Sequence, residues 1–287
     1  MSSKPGRPLV SVIVPTLNGA HNLAACLRSI HDQTWEPIEL VVVVNPRTTD
    51  DSEAIARAFT SHVYLKGPER SAQTNFGVAK ATGTYVYKVD DDFILEPAVV
   101  AECVAKAEAG ADAVVVHNTP DVRVSWIARI RKFEVDMYKY DLTHSSARFV
   151  RKDVYEAIGG FNSAITAGED YDFQNKLNRG GYKTAFIDAE ALHLGEPIRL
   201  WPHLRKYYLY GKNFNHYLVA NTAEAPRQLN FGRSVYFKHW RRFLAHPITA
   251  LEFTGYNLLK YGFGAAGLVV GRLQGVHKQD GPGRSIR

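Results

Sequence analysis

Long apolar runs and cysteines are scarce in this sequence, and each scarcity argues against a class of protein. No apolar run reaches the roughly 18 residues that a membrane-spanning helix needs, and residues 1–8 lack the apolar core of a signal peptide. The only two cysteines, Cys26 and Cys103, fall in segments predicted to be helical, with no spacing that suggests a partner. We therefore expect a cytoplasmic protein with reduced, buried thiols rather than a disulfide-stapled or membrane-spanning one.

Acidic residues are scarce in the last third of the chain. Residues 199–287 hold 14 Lys and Arg against three Asp and Glu, a net charge of +11, so the total of +6 leaves −5 for residues 1–198. A basic segment on an acidic body suggests an anionic neighbour, either membrane headgroups or nucleic acid. No recognised nucleic-acid motif accompanies the basic residues, so we expect no nucleic-acid partner.

The first hundred residues alternate apolar runs with amphipathic segments. Residues 9–15 and 38–44 are nearly continuous β-branched runs, which is typical of strands buried on both faces of a parallel sheet. Segments of about ten residues with helical spacing of apolar side chains separate these runs from residues 62–66 and 85–89. Strand–helix alternation of this kind predicts βαβ crossovers and an α/β fold with a mostly parallel central sheet flanked by helices.

Three consecutive carboxylates, Asp90, Asp91 and Asp92, follow the run 85–89 directly. In an open α/β sheet ligands bind beyond the carboxyl ends of the strands, so the triplet lies where a site is expected. Alternation along an extended chain lets Asp90 and Asp92 point together while Asp91 points away. Hard oxygen ligands suit Mg²⁺ or Mn²⁺, although a solvated acidic turn would explain the triplet alone equally well.

Two more carboxylates, Glu169 and Asp170, follow Gly168 at the start of a predicted helix. The helix dipole favours negative charge at that end, so plain capping is one interpretation and a functional role is the other. The residues around them decide between the two.

Four motifs in register resemble the family 2 inverting glycosyltransferases, which have the GT-A fold. They are the run 10–18 (Val-Ser-Val-Ile-Val-Pro-Thr-Leu-Asn), the triplet 90–92, Gly159-Gly-Phe161, and Gly168-Glu-Asp-Tyr-Asp172. The likeness covers roughly residues 9–195. It implies transfer of a sugar from a nucleoside diphosphate donor to an acceptor, with inversion at the anomeric carbon and a divalent cation, Mg²⁺ or Mn²⁺, on the diphosphate.

The resemblance also assigns roles to individual residues. It implies that Asp92 is the metal ligand with His193 near the metal, and that Asp170, preceded by Glu169, is the general base for the acceptor hydroxyl. The residues it places around the nucleotide-sugar are Pro15, Thr16, Asn18, Asn45, Arg70, Asp90 and Asp91. Asn45 departs from the family, because many members have aspartate there to read the base; an amide still offers a donor and an acceptor, so the donor nucleotide stays open.

The C-terminal third predicts aromatic helices with many cations. Residues 261–271 form an apolar segment bounded by Lys260 and Arg272, too short to span a bilayer. Basic residues beside Trp and Phe fit a helix lying in the membrane interface, at the inner face of the cell membrane, and packing on the domain or on a second subunit as a homodimer is the alternative. We predict a GT-A catalytic domain over 1–198, a helical extension over 199–273 that serves the acceptor or the membrane, and a disordered tail over 274–287.

Two other functions compete with the glycosyltransferase interpretation. A nucleotidyltransferase acting on sugar phosphates also uses paired acids on an α/β sheet, but it would commonly carry a lysine in the loop after the first strand, and residues 16–19 contain none. A non-catalytic scaffold would be expected to lose the acids, yet Asp90, Asp92 and Asp170 are all present. We therefore expect an enzyme whose acceptor is a cell-envelope glycan or a lipid-linked molecule.

Overall fold

The computed structural model describes residues 6–230 and 232–274, which fall into two units. The first unit holds residues 6–118, 146–163 and 176–195, and the second holds 119–145, 164–175 and 196–274. Each unit is therefore assembled from three separate segments of the chain. Apart from Gln274, the predicted disordered tail lies outside the described residues.

The first unit is built on a mixed sheet. Its order is β3-β2-β1-β4-β7-β6-β8-β5, where the first four strands are parallel and the β4–β7, β6–β7 and β5–β8 pairs are antiparallel. The strands are β1 (Val10–Thr16), β2 (Ile38–Val44), β3 (Val63–Leu65), β4 (Tyr85–Lys88), β5 (Phe93–Leu95), β6 (Ala113–Pro120), β7 (Phe149–Arg151) and β8 (Thr184–His193).

Helices connect these strands and supply much of the second unit. They are α1 (Ala20–His31), α2 (Ser52–Phe59), α3 (Arg70–Lys80), α4 (Val99–Glu108), α5 (Trp126–Val135) with a 3₁₀ turn at Asp136–Tyr138, α6 (Lys152–Ala157), α7 (Glu169–Arg179), α8 (Leu200–Asn213), α9 (Asn215–Ala220), α10 (Ala225–Gln228), α11 (Ser234–Lys238), α12 (Trp240–Ala245) and α13 (Pro247–Leu273).

The core of the first unit confirms the strands predicted from β-branched runs. All seven residues of β1 are buried, and so are the last four of β2. Helix α3 lies so close to β1 that a Cβ on Gly77 would stand 2.4 Å from Cγ2 of Ile13. Cys26 in α1 and Cys103 in α4 are both buried and free, as expected for reduced core thiols.

The second unit packs aromatic and aliphatic side chains of α5, its 3₁₀ turn, α11 and α13 into a separate core. Helices α8 and α13 cross closely, because Gly267 approaches the carbonyl of Tyr208 with no room for a Cβ between them. None of the helices in the described ranges is long and apolar enough to cross a membrane.

Lys260 precedes the apolar segment 261–271 but is not a surface cation. It lies in the middle of α13, 7% exposed, with its ammonium 2.8 Å from Oε2 of Glu134 in α5. Helix α13 runs from Pro247 to Leu273 and is much longer than the apolar segment 261–271.

Candidate active site

Asp90 lies just beyond β4 and is held by three cations of the first unit. Nη1 of Arg148 donates to Asp90 Oδ2 at 2.6 Å, and Arg70 and Lys88 each approach Oδ1 to 3.5 Å. Burial acts to raise the pKa of this carboxyl, but the cations outweigh it and hold the pKa well below its usual range. Asp90 is therefore ionised, and three positive charges surround one buried carboxylate. The three cations carry more charge than the one carboxylate balances, and Arg70 is half exposed, so this cluster is suited to bind an anionic diphosphate.

Asp92 meets His193 although the two residues are a hundred positions apart. The antiparallel pairing of β5 and β8 sets Phe93 opposite His193, and His193 Nε2 lies 3.3 Å from Asp92 Oδ2. Both side chains are partly exposed, at 20% for the imidazole and 29% for the carboxylate. Burial acts to raise the pKa of Asp92, but the hydrogen bond and the charge of His193, together with the charge of Arg70, outweigh it and lower the pKa.

This pair fits a divalent cation that is also bound by substrate. Among residues 6–230 and 232–274 no group of three or more His, Cys, Asp and Glu side chains is placed to hold a metal, so these residues supply at most two ligands of those types here. Mg²⁺ and Mn²⁺ suit such a site, because they commonly take one or two protein ligands and complete their shell with phosphate oxygens and water. Gly195 makes room for the Asp92 carboxylate beside His193: a Cβ there would stand 2.0 Å from Asp92 Oδ2 and 3.1 Å from His193 Nε2.

Asp91 has a partner that neither of its neighbours shares, and it lies with Asp92 in a turn after β4 rather than in the extended chain that the alternation assumed. Its Oδ2 accepts a 2.5 Å hydrogen bond from the hydroxyl of Thr16 at the end of β1, and a Cβ on Gly19 would stand 2.2 Å from the same oxygen. Asn18 adopts φ of 52° and accepts from the backbone N–H of Thr49. Asp91 therefore fixes the loop after β1, the segment that the resemblance places around the nucleoside.

Asn45 sits at the end of β2 beside a surface pocket. The pocket is lined by Asn45, Pro46, Arg47, Leu65, Lys66, Gly67 and Pro68. The Asn45 amide is buried, donates to the carbonyl of Pro68 at 2.7 Å and accepts from the N–H of Arg47 at 3.1 Å. In this structure its side chain therefore shapes the wall of the pocket through its hydrogen bonds to the backbone.

Glu169 and Asp170 open α7 and belong to the second unit. Gly168 before them has φ of +86°, and a Cβ there would stand 3.0 Å from the ring of Tyr217. One turn further on, Asp172 is buried and accepts from Asn221 at 2.9 Å. The glycine and this buried contact fix the start of α7 while Glu169 and Asp170 stay partly exposed.

Sequence reasoning missed Arg148 and Gly195. Arg148 immediately precedes the three-residue strand β7, and its carboxylate partner is evident only from the antiparallel pairing of β4 with β7. The sequence around it carries no motif that could have singled it out. Gly195 follows His193 by two residues. This closeness to a predicted site residue was the one sequence signal that a side chain at position 195 would crowd the site.

Comparisons with known proteins identify the family of the chain. The profile of Glycosyl transferase family 2 matches residues 11–163, just over half of the chain. A PGL/p-HBAD biosynthesis glycosyltransferase of Mycobacterium bovis (strain BCG / Pasteur 1173P2) is 30% identical over 176 residues, covering 58% of this chain and 68% of that protein. The succinoglycan biosynthesis protein ExoA of Rhizobium meliloti (strain 1021) is 22% identical over 277 residues, covering 86% and 84%.

Solved structures share the fold. The mannosyltransferase PcManGT from Pyrobaculum calidifontis, in complex with GDP-Man and Mn²⁺, has a TM-score of 0.62 at 19% identity and covers 96% of this chain and 90% of its own. Residues 1–349 of S. aureus TarS, in complex with UDP-GlcNAc, give 0.51 at 17% identity, covering 91% and 88%. With the matched profile, these likenesses confirm the predicted fold and family: the chain belongs to glycosyl transferase family 2, and it is a glycosyltransferase with the GT-A fold.

Proposed function

We propose that this enzyme transfers a sugar from a nucleoside diphosphate sugar to an acceptor hydroxyl with inversion at the anomeric carbon. The meeting of Asp92 with His193, next to the cations around Asp90, is the observation that carries the proposal. A divalent ion, Mg²⁺ or Mn²⁺, held by these two side chains would supply positive charge to the diphosphate as it leaves. Arg70, half exposed beside Asp90, would add charge from the protein itself.

Asp170 is proposed as the general base, with Glu169 beside it. Its carboxylate would accept the proton of the acceptor hydroxyl while the oxygen attacks the anomeric carbon. The bond from that carbon to the diphosphate oxygen breaks, and its electrons leave with the nucleoside diphosphate. Attack opposite the leaving group inverts the anomeric carbon, which is why the base and the leaving-group charges need separate positions.

The acceptor is proposed to be a cell-envelope glycan or a lipid-linked molecule. The names of the relatives support this class, because they refer to the biosynthesis of PGL/p-HBAD and of succinoglycan. The donor base stays open between the nucleotides that GT-A enzymes use: solved neighbours hold GDP-Man and UDP-GlcNAc. In this chain the pocket beside Asn45 is the place where the base would bind.

We further propose that the second unit binds the inner face of the cell membrane. Trp240 and Leu244 on α12 and Leu251 on α13 are each more than half exposed, and exposed cations such as Arg241 lie beside them. Apolar side chains flanked by cations complement a surface of anionic headgroups. In flotation with vesicles containing anionic lipid, Trp240→Ala should reduce binding, whereas Leu65→Ala, an exposed leucine of the first unit, should not. Equal flotation of both, or a concentration-dependent homodimer without flotation, would contradict membrane binding.

A thermal-shift panel of UDP, GDP, dTDP, CDP and ADP, with and without Mn²⁺, tests the donor site. A ligand that binds only the native state raises the melting temperature, so one nucleotide should give a shift that depends on Mn²⁺. Asp92→Ala should lose this shift. Asp170→Asn should keep the shift and lose transfer, and full transfer activity in Asp170→Asn would remove it as the base.

A further inference from the structure

Arg233 of the second unit is a buried cation that uses little of its hydrogen-bonding capacity. It immediately precedes α11 and is 9% exposed. Its Nη1 donates to the hydroxyl of Tyr138 and lies 3.8 Å from Oε1 of Glu134. Its Nε is buried and has no hydrogen-bond partner within the part of the chain that the structure describes. A guanidinium has five N–H donors, so most of this one's capacity is left for another group.

The charges around Arg233 do not balance. Lys260 donates to both oxygens of Glu134, at 2.8 and 3.1 Å, and is therefore the closer partner of that carboxylate. Arg233 shares the same carboxylate at the longer distance. Two buried cations thus face one buried carboxylate, and the trio carries a net charge of +1. An excess charge in a buried site is unfavourable unless a counter-ion joins it.

The rings around Arg233 leave the edge of its guanidinium for that counter-ion. Its Cζ lies 5.1 Å from the ring centroid of Tyr138 and 5.9 Å from that of Tyr261, over the ring in each case. Stacking of this kind occupies the faces of the planar group, whereas hydrogen bonds leave from its edge. An edge with paired N–H donors matches two oxygens of a phosphate or a carboxylate.

Arg233 and the proposed base, Asp170, both belong to the second unit. Burial raises the pKa of the hydroxyl of Tyr171, the residue after Asp170, and the charge of Arg233 opposes that rise. A group bound at Arg233 would therefore be held by the same unit that carries the proposed base.

We propose that Arg233 binds an anionic oxygen group of the acceptor, a phosphate or a carboxylate, and that the enzyme therefore selects a charged acceptor over a neutral glycan. The proposal rests on the function proposed above and narrows its acceptor class. The anion restores the charge balance of the trio and takes up the donors that the protein leaves open at Nε. A neutral sugar would satisfy the hydrogen bonds but leave the excess charge.

The test measures melting temperature in sodium phosphate against sodium chloride of equal ionic strength, for the whole chain. Phosphate at ten times its dissociation constant should raise the melting temperature of the wild type by about 3 °C. Arg233→Gln removes the excess charge, so it should fold, and it should lose this shift. Arg233→Lys keeps the charge without the planar edge and should retain part of it. Sodium acetate in a parallel series distinguishes a carboxylate from a phosphate site.

Two control variants locate the bound phosphate. Arg242→Gln is the matched control, since Arg242 also shares one carboxylate, Asp136, with a lysine and packs over a ring, but lies in a more exposed place. Arg70→Gln reports the donor site, which could also bind phosphate. Both variants should keep the shift.

Three results would overturn the proposal: no anion shift in the wild type, an undiminished shift in Arg233→Gln, or a shift lost only in Arg70→Gln. None of these results alters the nucleoside diphosphate panel, so this proposal and the proposed function can fail separately.

Discussion

Replacing Glu134 by glutamine should destabilise the second unit strongly, because it leaves Lys260 and Arg233 buried without a carboxylate. Burial acts to raise the pKa of Glu134, but Lys260 and Arg233 outweigh it and lower the pKa from 4.5 to about 2. A shift of that size corresponds to about 3 kcal/mol in favour of the ionised form. Removing one partner of a buried ion pair costs about 3–5 kcal/mol, which agrees.

Urea denaturation followed by tryptophan fluorescence measures this loss, since Trp126, Trp201 and Trp240 all lie in the second unit. The matched control is Glu53→Gln: Glu53 and Arg57 are also 2.8 Å apart, but both side chains are more than 40% exposed. We expect that control to cost at most about 1 kcal/mol. Similar losses in the two variants would refute the argument that burial makes the Glu134 pair important.

The pH dependence provides a second check on Glu134. Its folded-state pKa lies below the unfolded value, so its contribution is complete above about pH 4.5 and is lost as the pH falls toward 2. The wild type should therefore lose about 3 kcal/mol more than Glu134→Gln across that range. A parallel decline of the two proteins would mean that the carboxylate does not stabilise the fold in its ionised form.

Two glycine substitutions test close approaches elsewhere. In urea denaturation, Gly267→Ala should lower the free energy of unfolding by about 1–3 kcal/mol, because its Cβ would overlap the carbonyl of Tyr208 where α8 and α13 cross. The control is Gly262→Ala on the same helix, whose Cβ would have nothing within 4 Å and which should be neutral or stabilising by up to about 1 kcal/mol. Equal effects of the two variants would contradict the close packing at Gly267. Gly195→Ala should leave the melting temperature of the unliganded protein nearly unchanged, because its Cβ would displace only the flexible carboxylate of Asp92. The same displacement should reduce the Mn²⁺-dependent rise in melting temperature that the nucleotide causes. An undiminished rise would show that the Asp92 carboxylate does not need the space beside Gly195.

Local patterns were sufficient to predict the parallel half of the sheet. β1 and β2 are β-branched runs whose burial is evident without knowing what covers them, and the polar residues after them mark the strand ends. The pairing of the antiparallel half could not be predicted in the same way, because β5 and β7 have three residues each and carry no pattern that identifies a partner strand. Their pairing depends on contacts between distant segments, and with that pairing come the positions of Arg148 and His193.

Lys260 illustrates a different limit of sequence reasoning. A lysine beside an apolar segment is consistent with a cation at the edge of a membrane-facing helix, and only the residue across the helix interface decides otherwise. Glu134, 126 positions earlier, turns this lysine into one half of a buried pair. The sequence therefore predicted a basic helical extension correctly, but it could not separate the surface cations from those inside the second unit.

The three adjacent aspartates show why a motif alone does not assign chemistry. Asp91 accepts from Thr16 and holds a loop, and Asp90 is neutralised by cations from three segments. Asp92 has only a partly exposed imidazole within ion-pairing distance among the described residues, so its carboxylate retains lone pairs for an outside ligand. Identical side chains in sequence thus have different surroundings, because the turn after β4 directs each of them toward a different neighbour.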